Sequence, residues 1–204
     1  MEPFASPDQL DPKLRSFLEE ASGKLCNWFA ETGDAAPLPT SSYLPDIAPS
    51  LEGFSNEELL EDIQILMNGA YRPSHPGSLA HLDPPPLTSS IVADLVSAGL
   101  NNNLLATELS PSFSALEKQL CRWFAHRIGL PAEAGGTLAS GGSLTNLMAL
   151  VAARYKVGLQ NEPNAVVFAS ADAHVSLTKA IGVMGLTDDS LRKISTNEQG
   201  QISI

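Results

Sequence analysis

The sequence predicts an α/β protein in which a helical arm precedes the first part of a parallel, helix-covered sheet. Three observations carry that expectation. From residue 137 onward the apolar pattern reads strand, helix, strand, helix, strand, the order of a sheet whose crossovers are helices. Ala165-Val166-Val167-Phe168-Ala169 is an almost unbroken apolar run, as expected of a strand covered on both faces. Between the first strand and the helix after it stands Ser140-Gly141-Gly142-Ser143, a turn of two residues without a Cβ.

Composition sets the outer bounds. The chain has 204 residues, 43% of them hydrophobic, enough for a real core in one domain with an appendage. No stretch of about 18 apolar residues occurs, so no membrane span is expected. The N-terminus, Met1-Glu2-Pro3-Phe4-Ala5-Ser6-Pro7, lacks the basic cluster and apolar stretch of a secretory signal. Cys26 and Cys121 stand alone inside helical patterns, which fits a reduced, cytoplasmic compartment better than a disulfide framework. The net charge of −11 is concentrated at the front: residues 1–70 hold 13 Asp and Glu against 3 Lys and Arg. Such an acidic segment argues against a nucleic-acid surface.

In chain order, Leu10, Leu14, Phe17, Leu18, Leu25, Trp28 and Phe29 recur at helical spacing over 8–33, with Asp8 or Asp11 as cap and Gly33 as stop. Residues 34–53 contain Pro37, Pro39, Pro45 and Pro49 and read as a linker or extended arm. Ser55 and Glu58 have the spacing of a capping box. The helix they open presents Leu59, Leu60, Ile63, Leu66 and Met67 and ends at Gly69. Tyr71 to Pro86, with His75-Pro76-Gly77 and Asp83-Pro84-Pro85-Pro86, reads as a rigid surface loop. A helix follows over Leu87–Leu100 (Ile91, Leu95, Val96), closed by the polar turn Asn101-Asn102-Asn103.

Ser110 is the expected cap of the next helix, with Pro111 in its first position. Leu116, Leu120, Trp123, Phe124 and Ile128 are its core-facing residues, and Gly129 ends it. A short strand at 137–140 leads into the glycine turn, and Leu144, Leu147, Met148, Val151 and Tyr155 repeat at helical spacing beyond it. Ser176–Leu186 reads as a helix and Leu191–Ser195 as a further strand. The pattern stops at Gln201-Ile202-Ser203-Ile204 without a closing helix, so the chain reads as the front portion of a longer protein. An unfinished sheet of this kind is expected to be aggregation-prone or poorly cooperative in isolation.

Two places carry chemistry. The free N–H groups and positive dipole end at a helix start, reached through glycines with Ser143 beside them, make a ready phosphate site. The same turn also fits an ordinary tight strand-to-helix connection. It lacks the Gly-Lys-Ser/Thr of a Walker A loop and is not G-x-G-x-x-G, which argues against a dinucleotide. His174 follows the 165–169 strand, where open α/β sheets bind ligands, and its ring could stack on a planar cofactor. A lone histidine is as readily structural. His75 and His81 lie in the proline-rich loop and fit loop packing, His126 and Lys179 read as exposed helix residues, and no cluster has metal-ligand spacing.

Taken together and in order, His75-Pro76, Ala80-His81-Leu82, Ser110-Pro111 with Leu116-Glu117, Ser140-Gly141-Gly142-Ser143 with Asn146-Leu147, Ala152-Ala153-Arg154, and Ala173-His174 with Ser176 and Lys179 resemble the pyridoxal-phosphate-dependent group II amino-acid decarboxylases. That group includes the aromatic amino acid, glutamate and diaminobutyrate enzymes. The resemblance covers roughly residues 54–204 and implies a type I, aminotransferase-like fold, here incomplete. It divides the chain into a variable acidic helix and linker at 1–53, a family segment with the His-Pro loop at 54–110, and the first part of the cofactor-binding large domain at 111–204. It implies pyridoxal 5′-phosphate as cofactor, an amino acid as substrate and, in the full-length form, a homodimer. It places Gly142 and Ser143 at the cofactor phosphate, His174 as the catalytic imidazole stacked on the ring, and His75 and Pro76 on the substrate side.

The sequence departs from that pattern twice. Gly77-Ser78-Leu79 stand where members with aromatic substrates often carry aromatic residues. The aspartate that pairs with the pyridine nitrogen and the lysine that bonds the cofactor fall, in the family, beyond Ile204. Lys13, Lys24, Lys118, Lys156, Lys179 and Lys193 are the six lysines present, and none directly follows a histidine as the family lysine does. The resemblance therefore implies that these 204 residues alone do not decarboxylate. Two other readings are an aminotransferase-like or desulfurase-like enzyme of the same fold, and a non-catalytic pseudoenzyme or interaction module.

Overall fold

The computed structural model describes residues 4–5, 7–39, 44–45, 48, 51–79 and 83–202. Among the residues singled out above, Met1, Glu2, Pro3, Ser6, Pro49, Ala80-His81-Leu82 and Ser203-Ile204 lie outside the described set. The chain forms two compact units, Met1–Leu100 and Asn101–Ile204.

The first unit is helical. Its helices are α1 (Pro12–Ala30), α2 (Asn56–Asn68) and α3 (Thr88–Leu100). Of the two candidate caps for α1, Asp11 is the one used: its carboxylate accepts from the N–H groups of Lys13 and Leu14 at 2.9 and 3.0 Å. Pro12 fills the first position, where a missing N–H costs nothing. The helix ends at Ala30, three residues before Gly33. Just beyond it, the Thr32 hydroxyl turns back to donate to the Trp28 carbonyl at 3.0 Å.

Helix α2 opens with the expected capping box. The Ser55 hydroxyl accepts from Glu58 N–H, and the Glu58 carboxylate accepts from Ser55 N–H at 2.7 Å. These bonds favour the ionised carboxyl, so Glu58 is held below its usual range. Gly69 caps the C-terminal end. The indole N–H of Trp28 donates to the Met67 carbonyl at 2.8 Å and fastens α1 to α2. Helix α3 has no fully buried residue.

The second unit holds α4 (Pro111–Arg127), α5 (Gly142–Lys156), β1 (Val167–Ser170), α6 (Ser176–Val183) and β2 (Leu191–Ile194). Strands β1 and β2 pair in parallel, Val167 opposite Leu191 through Ser170 opposite Ile194, with α6 as the crossover between them. Ile181 is fully buried and packs with Ala165 and Leu186, surrounded by Val167, Met184 and Leu191. Helix α6 stops at Val183, earlier than the apolar pattern suggests. Gly185 takes φ +71°, and the N–H groups of Gly185 and Leu186 return to the carbonyls of Gly182 and Ile181. This is a Schellman turn, and it delivers Leu186 into the core beside Ile181. Gly129 and Gly158 end α4 and α5 in the same way.

Four further sequence expectations need correction in this unit. Residues 137–140 form no strand, because no described strand pairs with them; Thr137 and Leu138 instead bond to a side chain of α4. Ser110 precedes α4 but makes no capping bond, and its buried hydroxyl has no partner among the described residues. The buried face of α4 is Ser114, Cys121 and Ala125, whereas Trp123 and Phe124 are both 52% exposed. A glycine explains the choice: a Cβ on Gly136 would stand 3.4 Å from Cys121 Cβ, so the extended chain lies close along that small-residue face. Likewise, β1 is covered on one face only, with Ala169 buried and Phe168 67% exposed.

Candidate functional site

The site begins where the chain enters α5. Glu117, on α4, accepts from Thr137 Oγ1 and from Leu138 N–H, both at 2.9 Å. The backbone bond from Leu138, then the hydroxyl bond from Thr137, hold the Glu117 carboxyl below its usual range. This anchors the approach to Gly141, which takes φ +135° and ψ 164°. That backbone region is essentially closed to residues with a Cβ. The turn therefore needs glycine at 141 for the conformation itself.

Gly142 and Ser143 are the first two residues of α5. No side chain caps the helix start, and no acidic residue sits in its first turn, while Arg154 and Lys156 occupy the last. Leu144 N–H returns to Gly141 O at 3.1 Å, while the N–H groups of Gly142 and Ser143 make no bond among the described residues and stand at the positive end of the dipole. A Cβ on Gly142 would meet nothing within 4 Å, so the surface there is open. This arrangement fits the phosphate of a cofactor.

His174 lies on the loop between β1 and α6. That loop is shaped by its neighbours: Ala171 N–H donates to Ile194 O at 2.8 Å, Asp172 N–H to Ser170 Oγ, and Thr196 Oγ1 to Asp172 Oδ2 at 2.6 Å. Nδ1 of His174 stands 2.9 Å from Ser176 Oγ and accepts from Ser176 N–H at 3.2 Å. Ser176 Oγ also accepts from Asn146 Nδ2 at 2.8 Å, across the α5–α6 contact. Thus the glycine turn and His174 are joined through α5: Asn146, one turn into the helix that Gly142 and Ser143 open, reaches the residue that holds the imidazole. An exposed imidazole and an uncapped helix start are thus tied to one helix.

His75 and Pro76 fall in the first unit, on the 71–79 loop. The His75 ring folds back so that Nδ1 accepts from Gly77 N–H at 2.8 Å. A Cβ on Gly77 would lie only 3.0 Å from that nitrogen, so glycine after His75-Pro76 lets the ring close. The loop is held by Arg72, whose carbonyl accepts from Ser78 Oγ and His75 N–H. His126 and Lys179 are exposed on their helices. No group of three or more His, Cys, Asp or Glu with metal-binding geometry occurs among the described residues.

Two contributors escaped the residue-by-residue reading. Glu117 and Ser176 look like ordinary helix residues; only their partners, about 20 and 30 positions away, give them a role. The spacing His174-x-Ser176 was the available signal, since a hydroxyl two residues on can reach the ring.

Comparison with known proteins follows the same lines. The family model of the pyridoxal-dependent decarboxylase conserved domain matches residues 41–204. Over 177 residues the chain is 28% identical to L-2,4-diaminobutyrate decarboxylase of Acinetobacter baumannii, covering 76% of this chain and 35% of that protein. It is 26% identical over 193 residues to cysteine sulfinic acid decarboxylase of Mus musculus, covering 89% and 37% respectively. In structure it is similar to the glutamate decarboxylase domain of the diaminobutyrate-pyruvate transaminase and L-2,4-diaminobutyrate decarboxylase of Vibrio parahaemolyticus. That similarity has a TM-score of 0.83 at 18% identity and covers 98% of this chain and 48% of the other. The chain spans little more than a third of the length of these curated relatives. With a family match over most of its length and the same fold, the chain belongs to the pyridoxal-dependent decarboxylase family, whose cofactor is pyridoxal phosphate.

Proposed function

We propose that this chain supplies the phosphate and ring-face side of the site of an amino-acid decarboxylase that works as a homodimer. The observation that carries the reading is the uncapped start of α5 behind Gly141, joined through Asn146 and Ser176 to His174. Gly142 and Ser143 would hold the phosphate, and His174 would face the pyridine ring. Pyridoxal phosphate supplies an electron sink for the pair released when CO2 leaves an amino acid. The chain's own residues bind, orient and keep a proton in place: backbone N–H groups of α5 fix the anion, and His174 presents its outer nitrogen.

His75 and Pro76 would serve the substrate side. Gly77-Ser78-Leu79 beyond them count against an aromatic substrate side chain. The six lysines include none in the family's His-Lys context, so these 204 residues would bind cofactor without bonding it and release no CO2.

Titrating the chain with pyridoxal 5′-phosphate and with pyridoxal, followed by 31P NMR and absorbance, tests the reading. The phosphate ester is expected to bind at least tenfold more tightly, with inorganic phosphate competing and Ser143→Ala weakening it. Equal affinity for the two vitamers would remove the phosphate assignment. A protein containing these residues together with a His-Lys segment is expected to release CO2 from an amino acid; formation of a keto acid instead would favour the aminotransferase reading.

A further inference from the structure

The bonds around His174 have a fixed direction. A backbone N–H can only donate, and that of Ser176 is directed at Nδ1 of His174 from 3.2 Å. Nδ1 is therefore the lone-pair nitrogen, and in the neutral ring the proton sits on Nε2. The Ser176 hydroxyl, 2.9 Å from the same Nδ1, then points its hydrogen at that nitrogen as well. With its hydrogen committed, Oγ has only acceptor capacity left, and Asn146 Nδ2 fills it at 2.8 Å. The direction runs from Asn146 to Ser176 to His174, with the Ser176 hydroxyl and backbone N–H sharing the one lone pair of Nδ1.

Burial makes this arrangement hard to rearrange. Ser176 is 1% exposed, so a hydroxyl turned the wrong way would lose a partner that water cannot replace. Asn146 is half-buried, and His174 is exposed. The inner end of the imidazole is thereby held, and its outer end, Nε2–H, is the one presented outward.

We propose that Asn146 and Ser176 are positioning residues that hold His174 in a single tautomer and ring orientation. They also couple that orientation to the helix opened by Gly142 and Ser143. The use to which the outer N–H is put rests on the cofactor reading above; the tautomer does not.

The test is long-range 1H–15N correlation of the imidazoles in the 204-residue chain, without cofactor, at a pH where the rings are neutral. His174 is assigned by its loss in His174→Gln. In the unmodified chain, Nδ1 is expected at the acceptor-type shift and Nε2 at the pyrrole-type shift, with no detectable second tautomer. Asn146→Asp keeps the shape but replaces the amide donor with an acceptor. Ser176 then donates to residue 146 and its oxygen can accept from Nδ1–H, so only the 3.2 Å backbone N–H still favours the lone pair on Nδ1, and a measurable share of the Nδ1–H form appears at His174. Ser176→Ala removes the hydroxyl and also relaxes the single tautomer, while Ser176→Thr restores it. Should Ser176→Ala fail to fold, the half-buried Asn146→Asp decides the matter alone.

An Nδ1–H signal in the unmodified chain overturns the proposal. So does an unchanged His174 spectrum in a folded Asn146→Asp chain. A single Nε2–H tautomer together with absent phosphate-dependent cofactor binding would leave this proposal standing and remove only the functional reading.

Discussion

Each unit has an arginine that bonds to uncharged oxygens rather than to an acid, and the two do it differently. Arg72, 8% exposed in the first unit, donates from Nη1 to Trp28 O at 2.7 Å and to Thr32 Oγ1 at 3.1 Å. Its guanidinium lies 4.4 Å from the centre of the Trp28 ring. Arg154 in the second unit uses the whole fork: Nε to Leu159 O, Nη1 to Met184 O and Nη2 to Glu162 O, at 2.7 to 3.0 Å. Arg72 thus joins the loop carrying His75 to one aromatic residue and one carbonyl. Arg154 gathers the ends of α5 and α6 and the loop at 159–162. The first unit depends on a stacked plane in a thin core; the second depends on geometry that only a forked cation supplies.

Replacing the two arginines separates these roles. Arg72→Ala is expected to cost about 3 kcal/mol, from the cation–π contact, the bonds to charge and the void. It is read as accelerated hydrogen exchange at His75 N–H, with exchange in α6 unchanged. Loss of protection in both units alike would contradict the local role. Arg154→Ala is expected to cost about 2 kcal/mol, less because the fork is only half-buried and water can take over the freed carbonyls. Arg154→Lys should recover little of it, since an ammonium cannot reach three carbonyls from one plane; full recovery in denaturant melts would refute the fork argument.

Smaller effects test the entry to α5. Gly141→Ala meets no steric neighbour but forces a side chain onto φ +135°, an expected loss of about 1–3 kcal/mol confined to the start of α5. Gly142→Ala, at a helical position facing open space, should fold as well as the parent, and thermal melts of the two variants make the contrast.

Glu117 gives a pH signature. Its carboxyl is lowered in the folded chain by the bonds from Leu138 and Thr137, so its contribution is complete above the ordinary carboxylate range. That contribution is lost as pH falls through the lowered value. Exchange at Leu138 N–H, corrected for intrinsic rate, should quicken on acidification in the native chain and be pH-flat in Glu117→Gln. The same acid dependence in Glu117→Gln would assign it elsewhere.

Local chemistry was legible wherever a residue acts on its own neighbourhood. The Ser55–Glu58 capping box, the Pro111 start, the glycine stop at 129 and the parallel strands after 165 need only short-range pattern. Faces were less legible. Helix α4 offered Trp123 and Phe124 as its apolar side, yet the side that packs is Ser114, Cys121 and Ala125, because Gly136 brings the backbone close there. Residues 137–140 have a strand's composition, but a strand exists only with a ladder partner, and Glu117 takes that place.

The ordered motifs by themselves determined the family, the cofactor class and the residues to watch: Gly142, Ser143, His174, His75 and Pro76. Their spacing is a local property of the chain. Tertiary structure alone decided which atom of His174 is tied, because Asn146 and Ser176 stand 30 positions apart and meet only when α5 packs on α6. A hydrogen bond's direction depends on which donor faces which lone pair, and no pattern along the chain contains that.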